Sequence, residues 1–220
     1  MNIEKKIIEM PLGGTKEYYY DSDTPAEYRR IVGGVGWPSG GLPGFIVVVA
    51  EDYHPDLTLN LRHFRLLTEY SNHDMPKLVK RLYDFQNLYL VEPWHGEDDN
   101  EQMMHFVSKF NENLGHKKKG IYISAAPFID DSHSLRFYAH QIKSLMSVAK
   151  KILHFGEASQ LPGQLSMLSP DDVQTKQVQG YPAVAALGYA VAGLDEPYFE
   201  VSKHRKLQQQ MIDNYNVAGM

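Results

Sequence analysis

Ile31-Val32-Gly33-Gly34-Val35-Gly36-Trp37 is a short apolar run, broken at Pro38-Ser39-Gly40-Gly41-Leu42-Pro43-Gly44 and resumed as Phe45-Ile46-Val47-Val48-Val49-Ala50. The second run is rich in β-branched residues and carries no helical period, so it reads as a strand buried on both faces. The proline-glycine punctuation between the runs is a turn. Together they predict a hairpin at the centre of a sheet. Gly33 to Gly36 lacks the lysine-serine/threonine ending of a nucleotide-triphosphate loop, and no helix follows it, so it is not a nucleotide site.

Downstream, Leu57 to Tyr70 alternates in part and predicts a third strand. Pro76 to Phe85 places Leu78, Val79, Leu82 and Phe85 on one helical face, with Asp74 as its cap and Pro76 in its first turn. Leu88 to Glu92 reads as a short apolar strand ending in a carboxylate. Asp98 or Asp99 is placed to cap a helix over Glu101–Leu114, striped by Met103, Phe106, Val107 and Phe110 and stopped by Gly115. Gly120 to Ser124 predicts a fifth strand. Ser132 to Leu153 predicts a long helix, and Gly180 to Leu194 an alanine-rich one with a close-packing face of Ala183, Ala186, Leu187, Ala190 and Leu194. The order is β-β-β-α-β-α-β with a helical C-terminal third: an α/β domain over 31–194. Residues 1–30, tyrosine-rich at Tyr18 to Tyr20 with turn chemistry at Ser22 to Thr24, read as a packing arm or short helix. Residues 195–220 read as a polar tail.

The chain has 220 residues, 43% of them hydrophobic, enough to bury a core without a staple. It has no cysteine, which excludes disulfide frameworks, thiolate metal sites and thiol catalysis. A net charge of −5 argues against a strongly basic nucleic-acid coat. No apolar run approaches the roughly 18 residues of a membrane span, and the N-terminus lacks a signal-peptide core. The expected setting is cytoplasmic.

Three stretches carry a resemblance. IVGGVGWPSGGLPGFIVVV, LYLVEPWHGEDD, and HFGEASQLPGQLSMLSPDD followed by QGYPAVAALGYAVAGL come in an order and spacing similar to the nuclease domain of phage large terminase subunits. Gln164-Leu165 and the alanine-rich final helix occupy places that family uses. The resemblance implies a ribonuclease H-like mixed sheet, three antiparallel strands followed by alternating helices and parallel strands. It also implies a chemistry: two divalent cations held by carboxylates, one activating water and the other stabilising the leaving oxygen. Magnesium or manganese takes such oxygen ligands. The acids should come from the first strand, the fourth strand and the last helix.

Only Glu92 matches clearly, at the fourth-strand place. The first-strand aspartate falls at Gly36 and the last-helix aspartate at Ala183. No Asp or Glu lies between Ile31 and Ala50 or between Gln174 and Leu194, so a small shift of alignment restores neither. Glu51 and one of Asp130 or Asp131 are the candidate substitute metal ligands beside Glu92, since strand ends of one sheet can converge. Asp52, Glu97, Asp98, Asp99, Asp171 and Asp172 are further acids, and His54, His95 and His133 are possible nitrogen donors. At loops and caps such acids are ordinarily solvating or capping groups. Lys117, Lys118 and Lys119 are the candidate phosphate contacts, although such a run is also an ordinary solvated turn. Trp37 and Trp94 lie where bases would stack, or simply pack in the core.

The resemblance with its missing acids implies a phage or prophage terminase-like domain that has lost nuclease activity. It would act with DNA or packaging proteins, without membrane, nucleotide triphosphate or cofactor. One alternative is an active magnesium- or manganese-dependent endonuclease with a rearranged acid set around Glu92. Another is a structural or host-interaction protein that binds neither DNA nor metal.

Overall fold

The hairpin forms as its sequence predicts, and the sheet grows from it on both sides. A computed structural model describes residues 2–9, 14–53, 63–98, 100–115, 118–125, 153–154, 159, 161–167 and 181–195. Strand β3 (Ala26–Gly36) pairs antiparallel with β4 (Gly44–Asp52), and β4 pairs antiparallel with β5 (Phe64–Asn72). Every residue of β4 from Gly44 to Glu51 is buried, as its unbroken apolar run requires.

The described residues among the first thirty form strands and a turn, not a short helix. Strands β1 (Ile3–Glu9) and β2 (Thr15–Asp21) form an antiparallel hairpin, and β2 pairs with the first residues of β3. The Tyr18 to Tyr20 run is strand, as aromatic residues favour. A turn over Ser22 to Pro25 joins β2 to β3. Asp21 is fully buried there and accepts from the Thr24 hydroxyl and from the amides of Asn2 and Asp23.

Helix α1 (Met75–Tyr89) starts where expected: Asp74 accepts from the Lys77 amide at 3.3 Å, and Leu78, Val79, Leu82 and Phe85 are buried. Its end differs from the sequence reading. Leu88 and Tyr89 belong to its last turn, and Leu90 closes it in the left-handed region at φ 54°. The next strand, β6, is only Trp94–His95, so Glu92 precedes the strand instead of ending it. The apolar residues at 88–91 had suggested a strand; Tyr89 instead completes the buried stripe of α1, and Val91 is buried just beyond it. Helix α2 (Glu101–Leu114) has its expected span, but its cap is Asn100, whose side chain accepts from the Met103 amide. Strand β7 is Ile123–Ser124, shorter than the expected 120–124.

Strand β6 lies parallel to β3 beside Gly33 and Gly34, and β7 lies parallel to β6. Strand β8 (Leu153–His154) pairs parallel with β5 on the far edge. Leu153, expected to end a helix, is therefore in a strand, and the rest of that expected helix lies outside the described residues. Helices α3 (Leu161–Met167) and α4 (Pro182–Asp195) complete the described elements. The whole is a mixed α/β fold on an eight-stranded, mostly antiparallel sheet.

The two faces of the sheet carry two cores. Val32, Phe45, Val47 and Val49 pack with α4 and with Leu161 and Leu165 of α3. Ile31, Val35, Ile46, Val48 and Ala50 pack under α1, α2 and Trp94. Residues 182–194 of α4 are all buried, which suits a helix apolar on every side.

Candidate functional site

Strand β3 contributes its side chains alternately to the two cores, and glycine marks its closest contacts. Gly34 and Gly36 face α4. A Cβ added at Gly34 would lie 2.8 Å from the carbonyl carbon of Ala186 and 2.9 Å from the amide nitrogen of Ala190, with the Ala186 oxygen nearer still. A Cβ at Gly36 would lie 2.7 Å from the carbonyl carbon of Pro182. Main chain meets main chain here, and the small residues Ala183, Ala186 and Ala190, each 0% exposed, let it do so. Ala183 and Gly36 are the two places where the resemblance expects aspartate. Both are filled by the packing of α4 on the sheet.

Glu92, the third expected acid, is on the surface. Its side chain is 68% exposed and lies 2.6 Å from Lys119 Nζ. The carboxylate that follows β6 is instead Glu97. It is half-buried; Tyr189 of α4 donates its hydroxyl to Oε1 at 3.4 Å, and Trp37 at the end of β3 donates its indole N–H to the Glu97 carbonyl at 3.0 Å. Trp37 and Trp94 are both buried in the core under α1 and α2, and Gly33 leaves the space that the Trp94 ring occupies. His95 is also buried. Its Nδ1 lies 3.2 Å from both the Ala125 carbonyl and Ser124 Oγ, and Gly193 of α4 leaves room for the ring.

Glu51 is buried for a different purpose. Its carboxylate is 3.4 Å from Arg30 and 3.7 Å from Arg29, and its side chain is 3% exposed. Arg30 also donates to the carbonyl of Leu194 in the last turn of α4. A guanidinium at a helix C-terminus satisfies an otherwise orphaned carbonyl and meets the negative end of the helix dipole. Arg30 thus ties the hairpin to α4, and the buried Glu51 balances its partly buried charge. A bulge makes this possible: the register shifts between Tyr28 and Arg30, so Tyr28 enters the core under α1 while Arg30 turns toward α4.

Glu51 and Glu92 engage different cations, and the structure does not bring them to one centre. Asp130 and Asp131 lie outside the described residues, as do Asp99, Asp171, Asp172, His54 and His133. Asp52 lies 3.5 Å from Arg65, and Asp98 is exposed. Among the described residues no three acidic or histidine side chains converge as metal ligands would. Lys118 and Lys119 are exposed at the turn before β7, and Lys117 lies outside the described residues.

Sequence reasoning missed Arg30 and Tyr189. The signal for Arg30 was present: pairing the hairpin symmetrically about its turn sets Arg30 opposite Glu51, as observed. Tyr189 stood in an alanine-rich helix, where only the sheet beneath decides which residue reaches Glu97.

No family model, curated protein or solved structure matches the chain. No helix among the described residues is long and apolar enough to cross a membrane.

Proposed function

We propose that the chain is a ribonuclease H-like domain of the phage terminase type that has given up metal-dependent cleavage and serves as a binding component in DNA packaging or assembly. The fold reading is supported by the sheet order β5-β4-β3-β6-β7, with three antiparallel strands followed by two parallel to β3, and helices between β5, β6 and β7. The functional reading rests on one observation: the backbone of α4 lies directly on Gly36, where the resemblance calls for an acid side chain, and on Gly34 along the same face, and this leaves no space there for two cations. The partner is DNA or another packaging protein.

The test is cleavage of supercoiled and linear DNA with manganese, run beside Glu92→Ala and Glu97→Ala. The expected result is no cleavage and no manganese-dependent rise in melting temperature. Cleavage by the wild type that either variant abolishes would overturn the reading and favour the rearranged-acid nuclease. A second reading, a scaffold that binds neither DNA nor metal, is favoured by the Glu92 carboxylate held against Lys119 in the lysine run. Salt-sensitive DNA binding supports the first reading, and its absence in low salt supports the second.

A further inference from the structure

We infer that the outer edge of β1 is a self-pairing surface, at which two copies of this chain join antiparallel about a two-fold axis at Ile7. The backbone orientation follows from one hydrogen bond. Ser22 donates its amide to the Asn2 carbonyl at 3.1 Å, and the register Ile3 opposite Asp21 sets Asn2 opposite Ser22. Antiparallel strands alternate between residue pairs that exchange hydrogen bonds and pairs that do not. Glu4, Lys6 and Ile8 therefore turn their N–H and C=O groups toward β2. Ile3, Lys5, Ile7 and Glu9 turn theirs outward. Among the described residues no strand pairs with that outer edge. Two large apolar side chains stand on it, Ile7 at 62% and Ile8 at 41% exposure, and the charges around them, Glu4, Lys5, Lys6 and Glu9, are of both signs, so they repel a second copy only in the wrong register.

The sequence of the edge is complementary to itself. With Ile7 opposite Ile7, Lys5 of each copy stands opposite Glu9 of the other, so an apolar pair is flanked by two ion pairs. Lys5, Ile7 and Glu9 all belong to the outward-turned set, so the backbone ladder closes over residues 5–9, with Lys6 opposite Ile8 at the non-bonded places between. Sliding the copies by two residues sets Lys5 or Glu9 against Ile7, according to direction, and loses both ion pairs. Sliding by four sets Lys5 against Lys5 or Glu9 against Glu9. The charges therefore select one register. Lys5 already lies 2.7 Å from Glu17 on its own hairpin, and Glu9 of the second copy adds a second carboxylate to the same ammonium. The ladder is short, so the dimer is weak and concentration-dependent. Its formation does not depend on the proposed packaging role.

Sedimentation velocity on the full chain over a wide concentration range tests this. The expected result is a reversible monomer–dimer equilibrium. Ile7→Pro removes an outward N–H that β2 does not use, so the dimer is lost while circular dichroism and melting temperature hold. Glu9→Lys sets like charges at both ends of the ladder and weakens the dimer about tenfold or more. An equimolar mixture of Lys5→Glu and Glu9→Lys chains recovers it, because each reversed end then meets its opposite. A chain that stays monomeric at every concentration overturns the inference. So does a dimer that persists in folded Ile7→Pro, or one indifferent to the charge exchange. If Ile7→Pro fails to fold, the charge-exchange mixture decides alone.

Discussion

Gly34→Ala isolates the contact on which the functional reading rests. Gly34 does not occupy the left-handed region, so alanine is allowed there by backbone conformation. On entropy alone the change would stabilise the fold by about 0.4–1 kcal/mol, because alanine restricts the unfolded chain more than glycine does. The structure predicts the opposite sign. The added methyl falls 2.8 Å and 2.9 Å from backbone atoms of Ala186 and Ala190, inside ordinary contact distance, and neither atom is the end of a flexible side chain. Helix α4 would have to lift, and its residues 182–194 are all buried, so the shift spreads through the core. Overpacking of a tight core costs about 1–3 kcal/mol, and a rigid backbone contact belongs at the upper end. For a chain of this size a loss of about 3 kcal/mol lowers the melting temperature by roughly 6–12 °C. Differential scanning calorimetry of the two proteins under one buffer measures it. An unchanged or raised melting temperature would refute the close seating of α4 on β3, and with it the argument that no cation site fits there.

Three further outcomes follow from other parts of the structure. Glu51→Gln removes a 3%-exposed carboxylate from beside Arg30 and should cost up to about 3 kcal/mol, read as a lower denaturation midpoint, because a charged pair in a largely buried place is weakened on one side. Glu92→Ala removes an exposed ion pair and should change stability by no more than about 1 kcal/mol, with the same melting temperature in the presence and absence of manganese. Asp21 is buried, which opposes its ionisation, but the Thr24 hydroxyl and the Asp23 and Asn2 amides outweigh burial and hold its carboxyl below the usual aspartate range. A depressed folded pKa stabilises the protein above the unfolded value, and that contribution fades as pH falls through the folded one. Chemical denaturation between pH 7 and about pH 3 should therefore show a flatter acid decline for Asp21→Asn than for the wild type, from a lower starting stability.

The unbroken apolar run of β4, the glycine-proline turn before it, the Asp74 cap and the four-residue stripe of α1 are all local patterns, and each was readable from the chain. So was the absence of acids between Ile31 and Ala50 and between Gln174 and Leu194. The end of α1 was not readable. Residues 88–91 are apolar and fit a strand as well as a helix, and only the core beneath Tyr89 settles the choice. That displacement moved the acid following β6 from Glu92 to Glu97. The N-terminal hairpin was missed because its strands are largely exposed on one or both faces, and such strands lack a strong hydrophobic period.

The sequence by itself determined a cysteine-free α/β chain with a buried central hairpin, an alanine-rich last helix, and no carboxylates at two of three positions expected by resemblance. Tertiary structure alone decided that the backbone of α4 closes on Gly34 and Gly36, that Arg30 reaches the Leu194 carbonyl, and that Glu92 faces Lys119. The physical reason is range. Propensity, capping and turn chemistry act over a few residues and leave a mark in the local sequence. The seating of α4 on β3 joins residues about 150 apart, and a single bulge before Arg30 decides which core Tyr28 enters.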